Sequence, residues 1–155
     1  MSITSIRPIS DTETYDLRHR ILRPQQALSE CAYPCDKDPL TLHIGCFLND
    51  TLIGIGSILP DPRENSIHPT GWRIRGMAVL ADVRGTGAGG KILQALIDHV
   101  RAQPLPAEIW CNGRANVKGF YERFGFVQEG DPFELPGIGP HLLMVKMESV
   151  ALASS

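Results

Sequence analysis

The chain is 155 residues long, 43% apolar and 21% charged, with a formal net charge of −2. That length fits one domain with core enough to fold unaided, and the composition is neither disordered nor fibrous. No window approaches the ~18 apolar residues of a membrane span. The opening MSITSIRPISD has no hydrophobic signal core, and no basic run offers a nucleic-acid footprint. A cytoplasmic protein with no membrane or nucleic-acid partner is the expectation.

In chain order, residues 2–6 read as a short first strand. Ser10 with Glu13 forms an S-x-x-E capping box that opens a helix to about Arg20. Pro24 suits the first turn of a second short helix, RPQQALSE. Residues 31–39, with Pro34, Asp36, Asp38 and Pro39, read as an irregular loop. Two β-rich runs, 41–48 and 51–59, meet at Asn49-Asp50, a hairpin signal. Gly54 and Gly56 in the second run point to a close approach by some other part of the chain. After a polar loop at 61–71 comes a central strand, 72–79. A four-glycine loop follows, and then a helix with Ile92, Leu93, Leu96, Ile97 and Val100 on one face, ended by Gln103-Pro104.

Residues 107–112 read as the next strand. Residues 115–124 form a helix carrying Val117, Phe120, Tyr121 and Phe124 on one stripe, closed by Gly125. Strands at 126–134 and 141–147 finish the domain, taken as 1–148, and 149–155 is a frayed tail. Cys31, Cys35 and His43 lie near one another in sequence, but no second ligand pair completes a zinc site, so no metal is expected. With Cys46 and Cys111 they read as reduced, structural thiols.

The glycine loop carries the chemistry. A turn that delivers the chain into a helix presents unpaired backbone N–H groups and the positive end of the helix dipole to an anion. Three patterns fit it. Gly85, Gly87 and Gly90 satisfy G-x-G-x-x-G, but that fingerprint should follow the first strand of its domain and be answered by an acid about 20 residues on. Here it lies mid-chain, and Glu108 would open the next strand instead of closing it. Gly85 with Gly90-Lys91 fits most of G-x-x-x-x-G-K-[ST], yet Ile92 stands where a nucleoside-triphosphatase needs a hydroxyl on Mg²⁺. The third pattern is [QR]-x-x-G-x-[GA], met by Arg84, Gly87 and Gly89 in RGTGAG.

With that loop, the strand AEIWCNG and the segment FYERFGF, which matches FY-x-x-x-GF, the chain resembles the GNAT superfamily of acyl-CoA-dependent N-acyltransferases over about residues 41–147. The fragments LRHRILRPQQ, HIGCF, FYERFGF and GIGPHLLM resemble its ElaA-like branch. The local pattern alone gives mixed α/β. The resemblance implies a central mixed sheet of about seven strands with helices on both faces, splayed between the fourth and fifth strands. It further implies acetyl-CoA as cofactor, with its pyrophosphate on Arg84 and the amides of Gly85, Thr86, Gly87, Ala88, Gly89 and Gly90. Met77, Ala78 and Val79 would pair with pantetheine and supply an oxyanion N–H. Tyr121 would protonate the departing thiolate, a modest demand given an ordinary thiol pKa of about 8.5.

Two departures from the family pattern matter. The asparagine usual seven residues before the tyrosine is replaced by Arg114, with Asn112 and Asn116 to either side, and all three are cofactor candidates. The central strand lacks the frequent glutamate base and offers Arg73 and Arg75, which cannot act as bases near neutral pH. Facing the cleft, the two would suit a carboxylate or phosphate on the substrate, with Arg75 the substrate-binding candidate. His141, Glu129 and Glu134 are then the base candidates, with His43 behind them, and His141 is favoured because imidazole titrates near 6.5. The ElaA-like resemblance adds Arg18, His19, Arg20, His43 and His141 on the acceptor side.

The leading expectation is acetyl transfer to a small-molecule primary amine. A non-catalytic coenzyme A sensor and a protein acetyltransferase stand as alternatives, and the oligomeric state, monomer or homodimer, stays open.

Overall fold

The computed structural model describes residues 4–68, 70–104 and 107–148. Seven strands form one mixed sheet in the order β1-β2-β3-β4-β5-β7-β6. They are β1 (Thr4–Ile9), β2 (Leu42–Leu48), β3 (Thr51–Pro60), β4 (Gly71–Val79), β5 (Ala107–Arg114), β6 (Val127–Leu135) and β7 (Gly139–Glu148). The helices are α1 (Asp11–Leu17), α2 (Ala88–Arg101) and α3 (Lys118–Glu122). Among the described residues β4 and β5, running parallel, are paired only at Gly71–Glu108, Trp72–Ile109 and Arg73–Trp110. Beyond Trp110, β5 keeps its antiparallel ladder with β7 as far as Arg114–His141. The chain divides into two compact units, Met1–Leu59 with Ile74–Asp98 and Pro60–Arg73 with His99–Ser155.

In the first unit β3 has helices on opposite faces. A Cβ on Gly54 would stand 2.9 Å from Ile92 Cδ1, and one on Gly56 would stand 2.7 Å from Ile92 Cγ2 and 3.3 Å from Leu96 Cδ1. The two glycines therefore exist to let α2 settle onto the strand, and the approach is by side chains. Ile92, Leu93, Leu96 and Ile97 are all buried, as their spacing predicts. On the other face Leu17 of α1, Ile55 and Ala78 form a core cluster, and Ser57 meets Arg18. The hairpin turns at Asn49 with φ 55°, a left-handed position that asparagine tolerates.

The capping box at Ser10 is present in both directions, Glu13 N–H to Ser10 Oγ and Ser10 N–H to Glu13 Oε1. Two expectations near it need correction. After Leu17 the helix widens into a π-turn, Arg18–Leu22, and so runs past Arg20. Residues 24–31 hold only a turn and a 3-10 stretch, Leu28–Cys31, instead of a helix opened by Pro24. The wider turn carries Arg18 inward to its buried ion pair with Asp36.

The second unit layers residues 61–68 on one face of β5 and α3 on the other. Arg63 Nε and Ser66 Oγ both donate to Glu108 Oε1, at 2.7 and 3.1 Å, and Trp110 Nε1 donates to the Asp61 carbonyl at 2.7 Å. On the opposite face Tyr121 lies against Gly113. The helix foreseen at 115–124 is a 3-10 turn, Ala115–Val117, followed by the short α3. Val117 is exposed and leaves the apolar stripe to Phe120, Tyr121 and Phe124. Gly125 closes it with φ 90°. Residues 149–155 lie outside the described residues.

Candidate active site

The loop before α2 is built by two left-handed glycines, Gly85 at φ 89° and Gly87 at φ 86°. Nothing lies within 4 Å of a Cβ placed on either, so the backbone conformation alone demands glycine. Thr86 is turned inward, its N–H and hydroxyl both donating to the Val83 carbonyl at 3.4 and 2.7 Å. Intrahelical bonding begins with Lys91 N–H to Gly87 O at 3.0 Å. Among the described residues no backbone carbonyl receives the N–H of Gly85, Gly87, Ala88, Gly89 or Gly90. Arg84 beside them is exposed; its backbone N–H donates to the Ala81 carbonyl at 3.3 Å, and its side chain makes no hydrogen bond or ion pair among those residues. Five donors, a helix dipole and an exposed guanidinium form a cradle suited to an anion. Lys91 is drawn aside to Thr4 Oγ1 at 2.6 Å.

Strand β4 delivers Met77, Ala78 and Val79 to this loop. Gly76 sits just before them in a left-handed conformation, φ 68°, which breaks the regular strand. Leu80 N–H donates to Ile53 O of β3 at 2.9 Å, so by strand alternation the N–H of Val79 faces the other edge of β4.

Behind β4, in the same unit, lies a buried polar network. Arg18 Nη1 donates to Asp36 Oδ2 at 2.6 Å and to Cys31 O at 2.9 Å, while Nη2 donates to Asp36 Oδ1 at 3.1 Å and Ser57 Oγ at 3.3 Å. His43 Nε2 must carry its proton, because it meets the Asp36 carbonyl at 2.9 Å; Nδ1 then accepts from Ser57 Oγ at 2.6 Å. Both ring nitrogens of His43 are thereby engaged inside the protein, which gives it the role of a strut. The guanidiniums of Arg18 and Arg75 lie over the Tyr33 ring, 4.0 and 4.2 Å from its centre. Arg18 Nε has no hydrogen-bond partner among the described residues. His19 holds the Gln26 carbonyl at 2.8 Å, and Arg20 pairs with Asp16 at the surface.

In the second unit Tyr121 is 5% exposed. Its ring meets Phe120 and Phe126 edge-on at 5.2 and 5.6 Å, and its hydroxyl donates to the Cys111 sulfur. Burial first, then Cys111, pushes the phenol well above its usual range, so it stays a proton-bearing donor. Burial likewise pushes the Cys111 thiol up to about 12. The ring fits because residue 113 is glycine: a Cβ there would stand 3.0 Å from Tyr121 Cε2. Gly113 has no left-handed φ, so alanine is conformationally allowed. Gly113→Ala is therefore expected to keep the fold, displace the ring by a few tenths of an ångström and lower kcat about tenfold while KM for acetyl-CoA is unchanged, measured by steady-state kinetics. Cys111 was read from the sequence only as a structural thiol and Gly113 was not singled out, although a glycine inside a strand is a standing sign of close approach.

Strand alternation sends Asn112 and Arg114 to the face opposite Tyr121, together with Trp110. Directly across the ladder, on that same face, stand Leu143 and His141 of β7. His141 is buried, and its Nδ1–H donates to Gly139 O at 2.8 Å. A carbonyl only accepts, so Nδ1 holds the proton and Nε2 keeps its lone pair. Asn116 is exposed on the turn before α3, and Glu134 is exposed on β6. Glu129 pairs with Arg63 at 2.8 Å. Arg63, Glu64, Asn65, Trp110, Asn112 and Leu143 line a cleft of about 330 Å³, and of these only Asn112 was singled out by sequence.

Residues 5–126 match the Acetyltransferase (GNAT) family. The chain is 38% identical over 141 residues to a Bacillus subtilis protein named "Uncharacterized N-acetyltransferase YitI", covering 91% of this chain and 94% of that one. Escherichia coli ElaA superposes with a TM-score of 0.65 at 20% identity, over 93% of this chain and 99% of its own. An aminoglycoside 6'-N-acetyltransferase solved with coenzyme A gives a TM-score of 0.69 at 14% identity, over 92% and 96%.

Proposed function

The chain belongs to the acetyltransferase (GNAT) family and is an acetyl-CoA-dependent acetyltransferase, and we propose that it moves the acetyl group to a small-molecule primary amine by direct attack. The observation that carries this reading is the cradle of unpartnered N–H groups at Gly85, Gly87, Ala88, Gly89 and Gly90. With Arg84 it would hold the diphosphate, and the N–H at the outer edge of β4 near Val79 would serve the pantetheine arm. Acetyl-CoA supplies a thioester carbonyl and a thiolate that departs readily.

The remaining chemistry falls to two groups on opposite faces of β5. His141 Nε2, with its lone pair free, takes the proton that makes the acceptor nitrogen nucleophilic. The Tyr121 hydroxyl, which already donates to one sulfur at Cys111, turns to the departing sulfur. Burial holds the hydroxyl in its protonated form, able to donate toward that sulfur. Tyr121 stabilises the developing thiolate as a fixed hydrogen-bond donor.

The test is a panel of small amines incubated with acetyl-CoA while free thiol is monitored. Stoichiometric thiol release and a mass gain of one acetyl group on an amine are expected. Coenzyme A binding without release across the panel would contradict transfer, and acetylation confined to added proteins would contradict the small-molecule acceptor.

A further inference from the structure

The cleft over β5 and β7 has an uneven charge. Arg63 is its cationic wall, but Nε and Nη2 are bound to Glu108 at 2.7 and 3.1 Å, and Nη2 also meets Glu129 at 2.8 Å. Arg73, above the Trp110 ring at 4.9 Å, is answered by Asp61 at 3.8 Å. Glu64 is exposed, lines the cleft and forms no hydrogen bond or ion pair among the described residues. Arg63 and Arg73 are thus answered by Glu108, Glu129 and Asp61, and Glu64 is left as an acid with no cationic partner among the described residues. Such a surface attracts cations and repels carboxylates. Its volume is that of a small-ligand site, walled by Trp110 and Leu143 and by the side chain of Asn112, which has no partner among the described residues. Two residues from Leu143 along β7, roughly 7 Å by strand rise, the same face carries His141.

We propose that this cleft selects the acceptor, and that the acceptor is a short aliphatic diamine. Its far ammonium pairs with Glu64, its methylenes lie against Trp110 and Leu143, and its near nitrogen is presented to His141 Nε2. The proposal rests on the transferase reading above and narrows it: a second positive charge on the acceptor is recognised, where Arg73 and Arg75 by themselves had suggested a negative one. Arg114, further along the same face, interacts within the protein.

Calorimetric titration of coenzyme A-saturated protein with 1,4-diaminobutane and with butylamine tests it. The diamine is expected to bind about three- to fivefold more tightly, the range an exposed ion pair supplies, and the preference should shrink as salt rises. In Glu64→Gln, a surface change that leaves the fold intact, the preference should vanish while butylamine affinity stays unchanged. Equal affinities in the wild type, or a preference that survives Glu64→Gln, would overturn the assignment. Thiol release in parallel samples separates the two levels. Release with amino acids and no diamine preference removes the cleft proposal and leaves the transferase. Diamine binding lost in Glu64→Gln, with no thiol released from any amine, supports recognition of a diamine by the cleft, and removes both its role as acceptor and the reading of transfer to small amines.

Discussion

Tyr121→Phe is expected to lower kcat about a hundredfold, the usual cost of removing one donor aimed at developing charge, or about 2.7 kcal/mol of barrier. KM for acetyl-CoA should move less than about twofold, because the lost interaction strengthens only as sulfur departs. Phenylalanine retains the edge-on contacts with Phe120 and Phe126 and the fit over Gly113, so unfolding temperature is a sound control. The working form of the residue is the protonated phenol. Burial raises its pKa well above 10, which keeps that form populated through and beyond the usual titration range. The wild-type rate should therefore show no loss near pH 10 attributable to Tyr121. An unchanged kcat in the variant would remove Tyr121 from the chemistry.

The second large effect is on stability. Arg18 is fully buried and joins the π-turn, residues 31–36 and β3 through bonds to Asp36, Cys31 and Ser57. Arg18→Met leaves the Asp36 carboxylate buried beside an apolar chain, and breaking such a pair from one side costs about 3–5 kcal/mol. For a chain of this size that lowers the melting temperature by roughly 10 °C. Adding Asp36→Leu to Arg18→Met should recover more than half of the loss, since no unpaired charge remains. Thermal denaturation of the single and double variants checks both statements. A single variant that melts with the wild type would mean that Asp36 finds other partners.

Local rules made much of this fold legible. The Asn49 turn, the Ser10 capping box and the Gly125 cap each depend on a few adjacent residues, and each is found in place. The α2 stripe from Ile92 to Ile97 is buried, and the glycines at 85 and 87 adopt the left-handed conformation that only their type accepts easily. What stayed hidden depends on partners distant in sequence. Asp36 lies 18 residues from Arg18, and Glu108 lies 45 from Arg63, so neither pairing leaves a local mark. The consequence for the site is direct. His43 had the look of an acceptor-side residue until Ser57 and the Asp36 carbonyl engaged both of its nitrogens. Asn112 is the converse case: strand parity places it on the face away from Tyr121, a fact available only once the limits of β5 are known. Glu64 was one charge in a polar loop until residues 61–66 came to rest over Trp110.

The central claim is that five main-chain N–H groups before α2 grip the diphosphate of coenzyme A. Amide resonances of isotopically labelled protein, followed during a coenzyme A titration, test it most directly. Gly85, Gly87, Ala88, Gly89 and Gly90 should shift together and saturate with one binding curve, with Thr86, bonded to Val83, moving least. Coenzyme A binding that moves amides elsewhere and leaves those five unchanged would contradict the account.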